Sequence, residues 1–215
     1  MKILFIGNSY TYFNDLPAIL KELAEENGRT VEVFSVTKGG WKLHQYLDVR
    51  NEYAEKLDAL LEAEHFDVTV LQEQSLLPIL DPAAFLDGAS RLSAHLAGKT
   101  DRTVLYVTWG RKEGSAALTE HNLTRAGMTA GLIESYETVA RAISAEVSHV
   151  GRAFLLLNEK HPEIELHNPD RTHPSRVGSC LAAAVHYRTI FGEAPKTIAS
   201  LGLDEETEAA IRAVI

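Results

Sequence analysis

The 215-residue sequence predicts a three-layer α/β/α fold built on a parallel β-sheet. Three observations carry that expectation. Short apolar runs rich in β-branched residues are nearly unbroken rather than alternating, as in strands buried on both faces. Longer stretches between them carry apolar residues at helical spacing. The two kinds of segment alternate, the order expected where right-handed crossovers join parallel strands. No linker, repeat or low-complexity tract interrupts the pattern. A single core commonly grows to about 250 residues before a chain divides, so residues 1–215 are expected to form one domain.

The elements follow in order. Residues 3–6 make the first predicted strand, and Gly7 interrupts the run. A helix is expected over 16–27, with Leu16, Ile19, Leu20 and Leu23 on one stripe and Gly28 as its stop. The second strand covers 31–36. Residues 53–64 then set Leu57, Leu60 and Leu61 on one helical stripe, ahead of a third strand at 68–71. Pro82 opens the next helix in the first turn, where its missing N–H does no harm, and the helix runs toward Gly98. A fourth strand occupies 103–108. Helices are expected over 132–147 and 177–191. The acidic run Glu205-Glu206-Thr207-Glu208 reads as the solvated start of a last helix, where carboxylates favour the dipole. Residues 162–174 are polar, and Pro169 and Pro174 exclude regular helix there.

Composition removes several classes of function. Lys and Arg number 21 against 30 Asp and Glu, a net charge of −9. A general nucleic-acid binder needs concentrated basic residues to displace phosphate counterions, so nucleic acid is not an expected partner. The acidic surface is instead expected to favour neutral or cationic substrates over polyanions, a preference that salt should weaken. One cysteine allows no intramolecular disulfide and no CxxC motif. No apolar run is long enough for a membrane span or a signal-peptide core, so a cytoplasmic protein without a membrane partner is expected.

Open parallel sheets bind ligands beyond the carboxyl ends of their strands. Those positions carry Gly7-Asn8-Ser9-Tyr10-Thr11, Lys38-Gly39-Gly40-Trp41, Gln72-Glu73-Gln74-Ser75 and Trp109-Gly110-Arg111. The late polar loop adds Asp170-Arg171-Thr172-His173-Pro174. Gathered at one rim, they supply a hydroxyl nucleophile, a histidine base, a carboxylate and amide donors. A serine hydroxyl is inert at neutral pH unless a base takes its proton, and the base needs an acceptor to fix its tautomer.

Gly7-Asn8-Ser9 after an N-terminal strand, with Asp170-x-x-His173-Pro174 before the last long helix, resembles the SGNH (GDSL-type) hydrolases. The resemblance runs from the first strand to Gly192. It is nearest to a little-characterised bacterial branch with GNS for GDS and LQ for the usual GxND. It implies a flavodoxin-like parallel sheet and a serine esterase with a small-molecule ester as substrate and no cofactor. On it Ser9 is the nucleophile, His173 the base and Asp170 the group that orients the base. The Ser9 N–H and that of Gly40, or else Gly39, would bind the oxyanion. Asn8 replaces the Asp of GDS without removing a triad member. The third-block Asn is absent: Val70-Leu71-Gln72-Glu73-Gln74-Ser75 stands in its place. Some sugar-ester members use a glutamine from a QGES-like motif there, which makes Gln72 the expected donor. Gln74 competes with it, two residues on and on the same side of a continued strand. The same analogy implies acetyl esters of sugars.

Other readings of these residues compete. Ser9 could serve only as a helix cap, although Asp15 is the better cap for the helix that follows. Ser9 and Thr11 at a helix start could hold a flavin phosphate, although Tyr10-Thr11-Tyr12-Phe13 lacks the glycine such a loop uses and no GxGxxG occurs. A catalytically silent binding protein could retain the fold. His161, His167, Asp170 and His173 fall within 13 residues, but their spacing matches no zinc signature and no metal is expected. Cys180 sits on an apolar helix face and reads as a small hydrophobe. Trp41 and Trp109 follow strands and are expected, with Asn8, to contact substrate; packing is the competing role for both tryptophans.

Overall fold

The computed structural model describes residues 1–215. Strands β1 (Lys2–Gly7), β2 (Glu32–Thr37), β3 (Phe66–Leu71), β4 (Thr100–Tyr106) and β5 (Glu146–Ser148) form one sheet in the order β2-β1-β3-β4-β5. Every neighbouring pair is parallel, with Ile3 opposite both Val33 and Val68, and Val104 opposite both Val70 and Glu146. Side chains alternate faces along each strand. Ile3 and Phe5 therefore join a core of 32 buried residues with Val68, Val70, Val104 and Tyr106. Leu4 and Ile6 join a second core of 22 with Leu71 and Leu105. The unbroken apolar runs of the sequence are the consequence of these two cores.

Helices α1 (Ser9–Tyr12), α2 (Leu16–Glu26), α3 (Glu52–Ala63), α4 (Leu77–Leu80), α5 (Pro82–His95), α6 (Ala116–Glu120), α7 (Arg125–Ile143), α8 (Val150–Lys160), α9 (Arg176–Phe191) and α10 (Glu205–Arg212) complete the chain, with 3₁₀ turns at Phe13–Asp15, Leu43–Leu47 and Ala199–Leu201. The larger core takes most of its helical residues from α2, α8, α9 and α10, with Tyr10 of α1; the smaller takes most from α3, α5 and α7, with Leu77 of α4 and Leu118 of α6. The three-layer parallel fold expected from the sequence is the fold observed. The middle of α9, Gly178–Tyr187, is buried without a break, which explains its Ala-rich run around Cys180. No helix is long and apolar enough to cross a membrane.

Two local expectations are corrected. The helix expected over 132–147 starts earlier, at a Thr124 cap whose side chain accepts the Gly127 N–H, and stops at Ile143. Ser144 takes the left-handed conformation (φ 56°) and the chain re-emerges as β5, an edge strand of three residues. An element so short leaves no periodic signal. Helix α8 was not expected either, although it buries Val150, Phe154 and Leu157 at helical spacing.

Candidate active site

The carboxyl ends of β1 to β4 and the loop between α8 and α9 meet around a cleft of about 230 Å³. Asn8, Ser9, Tyr10, Gly40, Gln74, Ser75, Arg111, Thr172 and His173 line it. At the end of β1 the chain turns directly into α1. Asn8 caps that turn by accepting the Tyr10 N–H at 3.2 Å, so the cap is Asn8 and Ser9 is left as the first residue of the turn. Gly7 makes this close turn possible: a Cβ there would lie 2.6 Å from Thr11 Oγ1 and 2.8 Å from Gln72 Oε1. Asp15 makes no capping bond and stands in the left-handed region, as does Asn14. Asn14 Nδ2 donates to the Pro174 and Ser175 carbonyls and to Ser179 Oγ, tying the α1 turn to the distant histidine loop.

That loop is fixed by its own hydrogen bonds. Asp170 Oδ1 accepts the N–H groups of Thr172 and His173, both at 2.9 Å, a turn that leaves Oδ2 facing the imidazole. Arg171 holds the left-handed conformation at its centre, and the Asn168 N–H donates to the His173 carbonyl. His173 Nδ1 lies 2.6 Å from Asp170 Oδ2, and His173 Nε2 lies 2.8 Å from Ser9 Oγ. Phe13 stacks flat on the imidazole at 4.1 Å. Burial tends to raise the Asp170 carboxyl, but the His173 ring and the two amides outweigh it and hold it below its ordinary value. The arrangement offers a hydroxyl, a base with one nitrogen on that hydroxyl, and an ionised carboxylate on the other nitrogen.

N–H groups without a protein acceptor line the same cleft as the hydroxyl. The Lys38-Gly39-Gly40-Trp41 turn closes with the Trp41 N–H on the Lys38 carbonyl and needs φ +72° at Gly40. Neither the Ser9 nor the Gly40 N–H meets a backbone acceptor. Gly40 lines the cleft and Gly39 does not; a Cβ on Gly39 would lie 2.9 Å from the Tyr12 hydroxyl. The two glutamines differ sharply. Gln72 is fully buried and outside the cleft: its Oε1 accepts from the Asn8 N–H at 2.8 Å and from Thr11 Oγ1 at 3.0 Å, and its Nε2 donates to the Glu73 carbonyl. Gln74 lines the cleft, with Oε1 held by the N–H groups of Leu76 and Leu77 and no acceptor for its Nε2. The donor role expected of Gln72 is thus corrected: its amide is spent on the strand ends, and Gln74 has the free N–H.

The tryptophans are corrected as well. Trp109 is 1% exposed, stacked on Phe154 at 4.1 Å and leaning on Tyr10; its Nε1 donates to the Thr172 carbonyl, so it props the histidine loop from beneath. Trp41 packs edge-on against Tyr46 and Tyr53 outside the cleft, although its carbonyl accepts from Asn8 Nδ2. Asn8 does line the cleft, but all its polar atoms serve the two loops. Of the histidines in the late segment, His161 pairs with Glu163, while His167 is buried with Nε2 3.3 Å from the Gly110 carbonyl. No three potential metal-ligating side chains converge.

Glu73 was unassigned by sequence reasoning. Fully buried, it accepts the Leu43 N–H at 3.2 Å and the Gln74 N–H at 2.6 Å, and so clamps the glycine loop to the glutamine loop. Burial pushes its carboxyl up to about 7, against the opposing pull of those amides. Its only sequence signal is a carboxylate two residues past the end of a strand.

No protein-family model matches the chain, and no curated protein matches it by sequence. Among solved structures it is similar to a protein from Slackia heliotrinireducens assigned to the SGNH hydrolases, at 30% identity over 88% of this chain and 98% of that one, with a TM-score of 0.78. A DUF4886 family protein from Bacteroides uniformis shares the fold over 100% of this chain and 92% of its own, with a TM-score of 0.81 and 16% identity. An acetyl xylan esterase from Geobacillus stearothermophilus does so over 91% and 97%, at 0.63 and 15%.

Proposed function

The chain belongs to the SGNH (GDSL-type) hydrolase superfamily, and from that membership we propose that it hydrolyses short acyl esters through Ser9, His173 and Asp170. One observation carries the reading: the unbroken line from Asp170 Oδ2 through His173 to Ser9 Oγ, with contacts of 2.6 and 2.8 Å. With Nδ1 facing an ionised carboxylate, the imidazole keeps its proton there and presents a bare Nε2 to the serine. His173 Nε2 takes the hydroxyl proton as Ser9 Oγ attacks the ester carbonyl. The tetrahedral oxyanion is received by the Ser9 and Gly40 N–H groups and by Gln74 Nε2. His173 then protonates the leaving alcohol. Water, deprotonated by the same nitrogen, attacks the acyl-serine and frees the acid.

The cleft, at about 230 Å³, is smaller than the roughly 300 Å³ at which drug-sized sites begin. That size supports acetyl and other short acyl groups, acetylated sugars among them. The test is turnover of p-nitrophenyl acetate, butyrate and octanoate and of acetylated sugars by wild type and Ser9→Ala, with labelling by a fluorophosphonate. We expect turnover of the short esters, none by Ser9→Ala, and a covalent adduct on Ser9 alone. Equal turnover by the variant, or an adduct elsewhere, overturns the assignment.

A further inference from the structure

Arg111 is the one residue of the cleft with a permanent positive charge, and no carboxylate pairs with it. Arg29, Arg50, Arg91 and Arg102 each meet an Asp or Glu at the surface, and other arginines have no such partner; what sets Arg111 apart is that it is half-buried and lines the cleft. The Arg111 Nη2 donates to Ser75 Oγ at 3.1 Å, while its Nε is buried without a partner. The backbone beside it is rigid: the Gly110 N–H donates to Thr129 Oγ1, and a Cβ at Gly110 would strike the Arg125 carbonyl at 2.2 Å. Below lies the buried ring of Tyr10, whose hydroxyl burial drives up and the nearby guanidinium draws back down. A cation part-withdrawn from water with no counterion is costly to hold, and such costs are retained where a ligand repays them. Guanidinium is the group whose paired N–H donors match the two oxygens of a carboxylate.

On the hydrolase reading above, we infer that Arg111 binds a carboxylate carried by the substrate ester, and so sets its specificity. The net charge of −9 led to the opposite expectation, a preference for neutral or cationic substrates. The two concern different ranges. Surface charges act through solvent that screens them over about 8–10 Å, whereas Arg111 would act by contact inside the cleft. A single small anion is therefore selected locally, while large polyanions remain repelled.

Two pairs of esters test this, one for each side of the bond. p-Nitrophenyl hydrogen succinate against p-nitrophenyl butyrate places the carboxylate on the acyl group; 4-acetoxybenzoate against 4-acetoxybenzamide places it on the alcohol. In one pair the wild type should prefer the anion in kcat/KM, and Arg111→Gln should reduce that anion-to-neutral ratio about tenfold or more, chiefly through KM. Arg111→Lys, which keeps the charge but not the fork, should fall between. The pair that responds names the side. A second measurement needs no variant and no turnover: succinate and 4-hydroxybenzoate, but not succinamide or 4-hydroxybenzamide, should raise the Tm of the wild-type protein. If Ser9→Ala shows that the ester reading is wrong, this carboxylate-dependent rise still judges Arg111 alone. An anion-to-neutral ratio untouched by Arg111→Gln, or equal Tm shifts with acid and amide, overturns the inference.

Discussion

Replacing Glu73 by Gln should remove a loss of stability that the wild type suffers as pH rises through neutrality. The carboxyl is fully buried and raised from its ordinary 4.5 to about 7. A group raised on folding contributes its stability fully below 4.5 and loses it as pH climbs through 7, because the folded state must then either bury a charge or shed a proton it holds tightly. Each tenfold in proton activity is worth about 1.36 kcal/mol, so the gap is worth about 3.4 kcal/mol in all. About 2.5 kcal/mol of it falls between pH 5 and pH 8. The assay is urea unfolding followed by tryptophan fluorescence, for which buried Trp109 is a suitable reporter. The useful quantity is the stability of wild type minus that of Glu73→Gln at each pH, because the contributions of other titrating groups cancel. That difference should fall by about 2.5 kcal/mol from pH 5 to pH 8. A flat or rising difference refutes the reasoning: it would mean that the Leu43 and Gln74 amides hold the charged form well enough to offset burial.

Other outcomes follow from the same geometry. Asp170→Asn should keep the fold yet lower kcat on the order of 10³–10⁴-fold, because an amide favours the wrong imidazole tautomer; full activity would remove Asp170 from the triad. Gln74→Ala should lower kcat by about 10²-fold or more if its free amide N–H meets the oxyanion, with KM changed little. Gln72→Ala should instead lower Tm, since it deprives the Asn8 N–H and Thr11 hydroxyl of their acceptor; a kcat loss confined to Gln72→Ala would reverse the two roles. His186, buried edge-on against Tyr106 and Phe5 and without a hydrogen-bond partner, is lowered to about 3 by burial. A group lowered on folding loses its contribution as pH falls from 6.5 toward 3, a loss approaching roughly 5 kcal/mol. His186→Phe should therefore move acid unfolding to lower pH, and an unchanged midpoint would show that the ring is not held neutral.

Much of this was legible in the chain itself. Strands β1 and β3, central in the sheet and covered on both faces, announce themselves by nearly unbroken apolar runs, and β2 and β4 by shorter stretches rich in β-branched residues. Helices α2, α3 and α5 follow from local periodicity and from punctuation such as Gly28 and Pro82, and α9 from its Ala-rich run. Ser9, Asp170 and His173 were nominated from two short motifs, one at each end of the sequence, because the residue types needed to activate a hydroxyl are few. What local pattern could not supply was the direction of side chains once regular structure ends. Gln72 and Gln74 would share a face if β3 continued, but β3 stops at Leu71. Beyond it the chain turns to satisfy Glu73, sending one amide into the strand ends and the other into the cleft. Trp109 was legible as a residue after a strand, yet its packing against Phe154 depends on α8, an element without an expectation of its own.

Secondary structure and the chemical parts are properties of short stretches, and short stretches carry them: periodic burial, a cap, a turn built by Asp170, a glycine where a Cβ would collide. Partnership is different. The 2.8 Å contact between His173 and Ser9 joins residues 164 positions apart, and the isolation of Arg111 is a statement about which carboxylates the fold leaves distant. Both are settled only when the sheet brings its strand ends to one rim, because charge, hydrogen bonding and exclusion of water act over a few ångströms of space, not along the chain.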